Sequence, residues 1–187
     1  MPRFADLKIW VRLTAAIWVV LALIWAGAIV WTTQVNRDTA IRQANDFSKS
    51  IHEMTMAGLT GMMITGTVGQ REVFLDQIKQ LSIIKDLHVA RGDAVVKLFG
   101  PDTKDQRELD VLEKQVMTSG VPHMSVETAN GSSYLRVINP TKASKNYLGK
   151  DCILCHQVPE GTVLGIVSMK VSLDSVEAEV SAFRLKI

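Results

Sequence analysis

The sequence predicts an α+β fold in which an antiparallel sheet of about five strands is flanked by helices and preceded by one transmembrane helix. Three features support this prediction: an uncharged apolar run near the N-terminus, a later change from helical to alternating periodicity, and an Asn-Gly pair between two alternating segments. With 187 residues, the chain is long enough for one domain of ordinary size outside the membrane.

The predicted transmembrane helix occupies residues 13–35, which carry no charged side chain. A helix needs ~20 apolar residues to cross a hydrocarbon core of about 30 Å, and this run is long enough. Trp10 and Trp31 lie near its two ends, where interfacial aromatic side chains are common. A cleaved signal peptide is the alternative, because Ala26-Gly27-Ala28 resembles a cleavage site, but the apolar run continues beyond it.

Basic residues before the span predict its orientation. Arg3, Lys8 and Arg12 precede it, so the positive-inside rule places residues 1–12 in the cytoplasm and residues 36–187 on the other side of the membrane. The net charge of +2 is too small and too scattered to argue for binding to nucleic acid.

The exported part alternates between helical and strand-like periodicity. In chain order, the pattern predicts a continuation of the first helix to about Gly58 or Met63, a helix at residues 70–84, strands at 87–91 and 95–99, a helix at 105–118, strands at 124–128 and 133–138, a strand at 163–173, and a closing amphipathic helix at 173–187. Asp110 and Glu113 are expected to lie on a solvated face of the helix at 105–118.

The chemistry of the chain is indicated by Cys152-Ile153-Leu154-Cys155-His156. This is the C-x-x-C-H pattern by which c-type haem is attached: the two thiols add to the porphyrin vinyl groups, and the adjoining imidazole binds the iron. These are the chain's only 2 cysteines, so neither has another disulfide partner within the chain. Export of this segment agrees with haem attachment outside the cytoplasm.

Two other interpretations of the motif remain open. A thioredoxin-like redox pair also uses C-x-x-C, but it expects a strand before the motif and a helix that opens at the motif, whereas residues 139–146 look like a loop and Pro159 and Gly161 follow closely. Half of a zinc site is the other interpretation, but the sequence has no second C-x-x-C or H-x-x-x-H to complete four ligands.

The layout resembles the periplasmic haem c sensor domains, which are PAS-like, of methyl-accepting chemotaxis receptors and related bacterial signal transducers. The resemblance covers roughly residues 10–187 and depends on Leu81–Gly92, Asn139-Pro140, Gly149–His156 and Gly165–Ser168 together with the transmembrane helix. Only C-x-x-C-H is specific. Receptors of this family continue into a second membrane helix and a cytoplasmic signalling module, which this sequence does not contain.

The resemblance implies one covalent haem c, held through Cys152 and Cys155 with His156 as an axial ligand. It also implies a distal methionine from the end of the first helix, Met62 or Met63, sometimes supplied by the other subunit of a homodimer. His52, His88 and His123 are rivals, with His52 expected to face solvent. Arg91, Arg136 and Tyr134 are the candidate partners of the haem propionates, with Lys150 as a further one.

We therefore expect a non-enzymatic sensor in the bacterial inner membrane, single-pass or the first part of a two-pass protein. It would respond to redox state or a small gas and signal through its helices. The alternative is a membrane-tethered monohaem cytochrome that exchanges electrons with a redox partner. No carboxylate pair, Ser-His arrangement or phosphate-binding glycine loop suggests an enzyme.

Overall fold

A computed structural model describes residues 8–102, 107–129 and 131–173. Its elements are α1 Ile9–Ile64, a short 3-10 turn Val68–Gln70, α2 Arg71–Lys79, β1 Ile84–Arg91, α3 Asp93–Phe99, α4 Val111–Ser119, β2 His123–Ala129, β3 Ser132–Lys142, α5 Cys152–His156 and β4 Val163–Ser172. Within these residues, helices and one antiparallel sheet make an α+β fold.

Helix α1 is continuous over 56 residues and has two different halves. Its N-terminal half is long and apolar enough to cross a membrane, and its large side chains there, from Leu13 to Trp31, are mostly exposed. Its C-terminal half is amphipathic, with buried residues that recur every three or four positions, and one adjacent pair at Thr55 and Met56: Ala40, Ala44, Ser48, Ile51, Thr55, Met56 and Leu59. This spacing puts them on one face of the helix. The predicted continuation of the first helix to about Met63 is confirmed.

The sheet has the strand order β1-β4-β3-β2, and all neighbouring strands are antiparallel. Met169 lies at its centre, opposite Leu87 on one side and Val137 on the other. These residues belong to the larger core, on the face that α1 and α2 cover. Side chains alternate along a strand, so Ile138 and Ile166 point to the opposite face, where they form a smaller core with α4.

The glycine at position 165 is required where β4 passes β1. A Cβ atom at Gly165 would lie 2.5 Å from the carbonyl oxygen of Ala90, closer than non-bonded atoms approach. The absence of a side chain therefore permits the pairing of Gly165 with Arg91 at this end of the sheet.

The five-strand prediction is wrong at one element. Residues 95–99 form part of α3 rather than a strand, and the described residues contain four strands. The β-branched pair Val95-Val96 favours a strand locally. Helix α3 instead begins after Gly92, has Asp93 in its first turn, ends at Gly100 with a positive φ of 79°, and packs on β4. Tertiary packing outweighs the local preference.

The other strands are confirmed, but β3 continues to Lys142 and so includes residues 139–142, for which a loop is predicted. Two helices are shorter than predicted. Helix α2 ends at Lys79, because Ile84 already begins β1. Helix α4 begins at Val111, because Asp110 caps its N-terminus. Residues 174–187, where the closing helix was predicted, lie outside the described residues.

Candidate haem-binding site

The C-x-x-C-H motif folds as the short helix α5. The Asp151 carboxylate precedes it and accepts hydrogen bonds from the backbone N–H of Ile153 at 2.8 Å and of Leu154 at 3.4 Å. Residues three and four positions apart share a side of a helix, so Cys152, Cys155 and His156 lie along one side of this turn. Both cysteines are free thiols, and Cys155 is exposed. The motif thus presents two reactive groups and an imidazole together.

The loop that carries α5 is closed at its base. The backbone N–H of Ala143 donates to the carbonyl of Thr162, and that of Gly161 donates to the carbonyl of Ala143, both at 2.8 Å. The N–H of Cys152 donates to the carbonyl of Ser144 at 2.9 Å. These bonds attach the motif to the ends of β3 and β4, which are the two central strands of the sheet.

His156 is buried, with 8% of its surface exposed, and the ring of Phe99 meets it edge to face at 5.5 Å. Burial lowers the pKa of His156, which favours the neutral imidazole at neutral pH. Its buried Nδ1 makes no hydrogen bond within the described residues. A buried polar nitrogen without a partner is costly. A neutral imidazole with an unsatisfied nitrogen fits the requirements of an iron ligand, so these residues are compatible with haem.

A cleft of about 610 Å³ opens beside His156. Its size falls within the range of cofactor sites, about 300–1,000 Å³. Helix α3 contributes Lys97 and Leu98 to the wall, α4 contributes Met117, and the start of β4 contributes Val163. The cleft therefore lies where α3, α4 and the loop at residues 143–162 meet; this loop carries the candidate haem-attachment motif and is called the haem loop below.

The candidate propionate partners lie at different places. The Arg91 guanidinium donates from Nη1 to the carbonyl of Gly100 at 3.2 Å, next to the cleft residue Gly92. Arg136 is buried and ion-paired with Asp110, while the Tyr134 hydroxyl donates to Glu127 at 2.9 Å. Neither Arg136 nor Tyr134 is among the described residues that line the cleft. Lys150 is exposed in the haem loop, where its backbone pairs with that of Tyr147.

The candidate distal ligands are also dispersed. Met62 and Met63 are in the last turn of α1, Met63 is 46% exposed, and neither lines the cleft in the described part of the chain. His88 is buried, and its Nδ1 lies 3.4 Å from Oε1 of Glu113. Nε2 of His123 lies 3.2 Å from the Ser125 hydroxyl. The haem roles of Met62 and Met63 remain predictions.

His52 does not face solvent, contrary to the prediction. It is half-buried, and its Nε2 lies 3.4 Å from the Tyr147 hydroxyl in the haem loop. Burial lowers the pKa of His52. The periodicity of α1 alone could not predict that the haem loop covers His52, because the loop is almost a hundred residues away in sequence.

A charge cluster around buried Glu113 holds α4 against the sheet. The expectation of a solvated face is wrong for Glu113, whereas Asp110 is exposed at the start of the helix. Glu113 is fully buried, and its carboxylate accepts hydrogen bonds from Arg107 Nη2 at 2.8 Å and from the Asp110 backbone at 3.1 Å. Asp110 and Glu113 form a capping box. Their spacing is the sequence signal that could have identified this role.

The pKa of Glu113 reflects that environment. Burial alone would raise it, but hydrogen bonds from His88, Ser168 and the Asp110 backbone, with the charge of Arg107, lower it from 4.5 to about 2. Glu113 is therefore ionised at neutral pH, and its charge is balanced within the protein.

Within the described ranges, no group of three or more His, Cys, Asp or Glu side chains could hold a metal ion, so the structure supplies no zinc cluster around Cys152 and Cys155. A haem needs only one protein nitrogen on its iron and is not subject to that requirement. The sequence matches no model of a known protein family and none of the curated proteins with which it was compared. The family assignment consequently remains a prediction from the residues.

Proposed function

We propose that this chain is a membrane-anchored sensor with one covalently attached c-type haem that responds to redox state or a small gas. The observation that carries the proposal is the arrangement at α5. Two free thiols and a buried imidazole, whose Nδ1 makes no hydrogen bond within the described residues, stand on one capped helical turn. His156 lines a cleft of about 610 Å³, whereas neither cysteine is among the described residues that line it.

The chain's own residues have distinct tasks in this proposal. Cys152 and Cys155 would form the two thioether bonds, and His156 would hold the iron. Asp151 fixes the start of the helical turn, and Phe99 restrains the imidazole ring from one side. When bound, the haem supplies an iron centre that can change oxidation state or accept a diatomic gas.

A series of contacts connects this site to the long helix. His156 contacts Phe99 at the end of α3. Asp102, three residues after Phe99, forms an ion pair with Arg71 at the start of α2. In α2, the Phe74 ring packs so closely on α1 that a Cβ at Gly58 would lie 2.5 Å from it. A displacement of α5 would therefore press on α1 through packed groups, as a two-state signalling element requires.

The same proposal assigns a location and partners. The chain would lie in the bacterial inner membrane, with its N-terminus cytoplasmic and the haem domain, residues 36–187, periplasmic. A homodimer would bring together two copies of α1, and a cytoplasmic signalling module would receive the movement. The long apolar half of α1 supports the membrane anchor.

A membrane-tethered monohaem cytochrome is the second candidate, and one observation favours it. The outer side of α5 is open to solvent, with Leu154 77% exposed and Cys155 also exposed. An exposed haem edge beside these residues would suit electron exchange with a redox partner.

Spectra of the full haem-loaded chain in nanodiscs distinguish the two functions. For a sensor, carbon monoxide or nitric oxide changes the reduced spectrum, or a change of redox state alters amide hydrogen exchange along residues 51–64. The matched variant Phe99→Ala should weaken that exchange response while leaving the haem attached. A haem that binds neither gas, exchanges electrons rapidly and leaves exchange in α1 unchanged would favour the cytochrome and contradict the sensor.

A further inference from the structure

Met117 lines the same cleft as His156, although nothing in the amino-acid sequence connects this methionine with the motif. It lies on α4 and is half-buried, packed beside the small core of Val116, Ile138 and Ile166. We propose that Met117 of the same chain, rather than Met62 or Met63, supplies the second axial ligand of the haem iron. This inference rests on the proposed function.

The donor chemistry of the cleft supports this choice. Iron in c-type sites takes nitrogen or thioether sulfur as its axial ligands. Among the described residues that line the cleft, Met117 carries the one sulfur and His156 the one imidazole. The exposed Lys97 also reaches the wall, but an ammonium group has no lone pair to offer.

The position of Met117 is fixed by its helix. The capping box of Asp110 and Glu113 defines the start of α4, and buried Glu113 ties this helix to Arg107 and His88. Val116, the neighbour of Met117, is 2% exposed and packs on the sheet. A side chain carried by such a restrained helix is suited to a ligand role, because a metal site needs its ligands held in place before the metal binds.

Met62 and Met63 lack these features. They lie in the last turn of α1, which ends at Ile64, and this helix packs on the face of the sheet opposite to α4. Neither is among the described residues that line the cleft beside His156.

The test uses the full chain, produced with covalent haem and held in nanodiscs. Met117→Leu keeps the apolar volume and removes only the sulfur. We expect it to abolish the long-wavelength ferric absorption band of a thioether-bound iron and to lower the midpoint potential, because a thioether ligand raises it. Met117→His should restore a six-coordinate low-spin spectrum at a potential below that of the wild type.

Met62→Leu, Met63→Leu and the exposed Met54→Leu are the matched controls and should leave both readouts unchanged. A normal band in Met117→Leu, or its loss in Met62→Leu or Met63→Leu, would overturn the assignment while leaving haem attachment intact. A wild-type spectrum without the band would overturn it as well. If no sample carries covalent haem, the wild type included, the result would instead refute the proposed function on which the assignment depends.

Discussion

The buried carboxylate Glu113 allows a quantitative test of how α4 is held on the sheet. Glu113→Gln preserves the size of the side chain but removes the charge that Arg107, His88 and Arg136 surround. Removing the charge leaves His88 and Arg136 buried beside a neutral group. The variant should therefore be markedly less stable than the wild type at neutral pH.

The expected loss follows from the pKa. Glu113 has a pKa of about 2 in the folded protein, against an ordinary value of 4.5, and this difference corresponds to about 3 kcal/mol of stability. Because the folded pKa is the lower one, that contribution is fully present above pH 4.5 and is lost as the pH falls toward 2. Deleting one partner of a buried ion pair costs a comparable ~3–5 kcal/mol.

Amide hydrogen exchange in the central strands is the appropriate assay. All 4 tryptophans lie between residues 10 and 31, so their fluorescence reports on the membrane span rather than on the sheet. At neutral pH, Glu113→Gln should reduce protection of the Ile138 and Val167 amides on the order of a hundredfold. The exposed Glu108→Gln is the control, with a change within about 0.5 kcal/mol.

The pH dependence provides the refuting result. The difference in stability between the wild type and Glu113→Gln should narrow as the pH falls from 4.5 toward 2. Two results would show that the charge of Glu113 does not stabilise the fold. One is a variant as stable as the wild type at neutral pH, and the other is a difference in stability that stays the same as the pH falls.

Three further predictions concern the sheet and the motif. Gly165→Ala should destabilise the sheet by about 1–3 kcal/mol, measured by the same exchange assay, because its Cβ would meet the Ala90 carbonyl oxygen at 2.5 Å. Asp151→Ala should cost about 1 kcal/mol of local stability at α5 and lower the haem content per chain, whereas Asp151→Asn should retain most of it. Phe99→Ala should uncover His156, and an NMR titration of haem-free protein should then give a higher His156 pKa, since burial is what lowers it.

Local sequence signals predicted those parts of the fold that depend on neighbouring residues. The uncharged run and the helical spacing after it gave a single helix, which continues to Ile64. The Asn130-Gly131 pair predicted the connection of β2 to β3, which pair in register from Ala129–Ser132 to His123–Ile138. In both cases the deciding interactions lie within a few residues along the chain.

Features that depend on distant residues could not be predicted in the same way. Val95 and Val96 favour a strand by propensity, but packing on β4 makes them helical. Glu113 reads as a surface residue until Arg107 and Arg136 surround it. Periodicity identifies the buried face of an element but not which other elements cover it.

The candidate site shows the same division. Cys152, Cys155 and His156 are close in sequence, so the motif could be identified from its spacing, whereas the short helix that it forms was not predicted. Met117 lies thirty-nine residues before His156 and joins the cleft only because β3 and β4 bring α4 and the haem loop to one end of the sheet. A local motif can predict which cofactor is bound, whereas the tertiary structure determines which groups surround that cofactor.

The intact mass of the chain tests the central claim most directly. The 187-residue chain would be co-expressed with a c-type haem maturation apparatus and unfolded in acid and organic solvent, and its mass would be measured alongside that of the double variant Cys152→Ala/Cys155→Ala. We predict that the wild type keeps the added mass of one haem and that the double variant has the mass of the bare polypeptide. A wild-type chain with the bare mass, after the apparatus has loaded a control cytochrome in the same cells, would contradict the account.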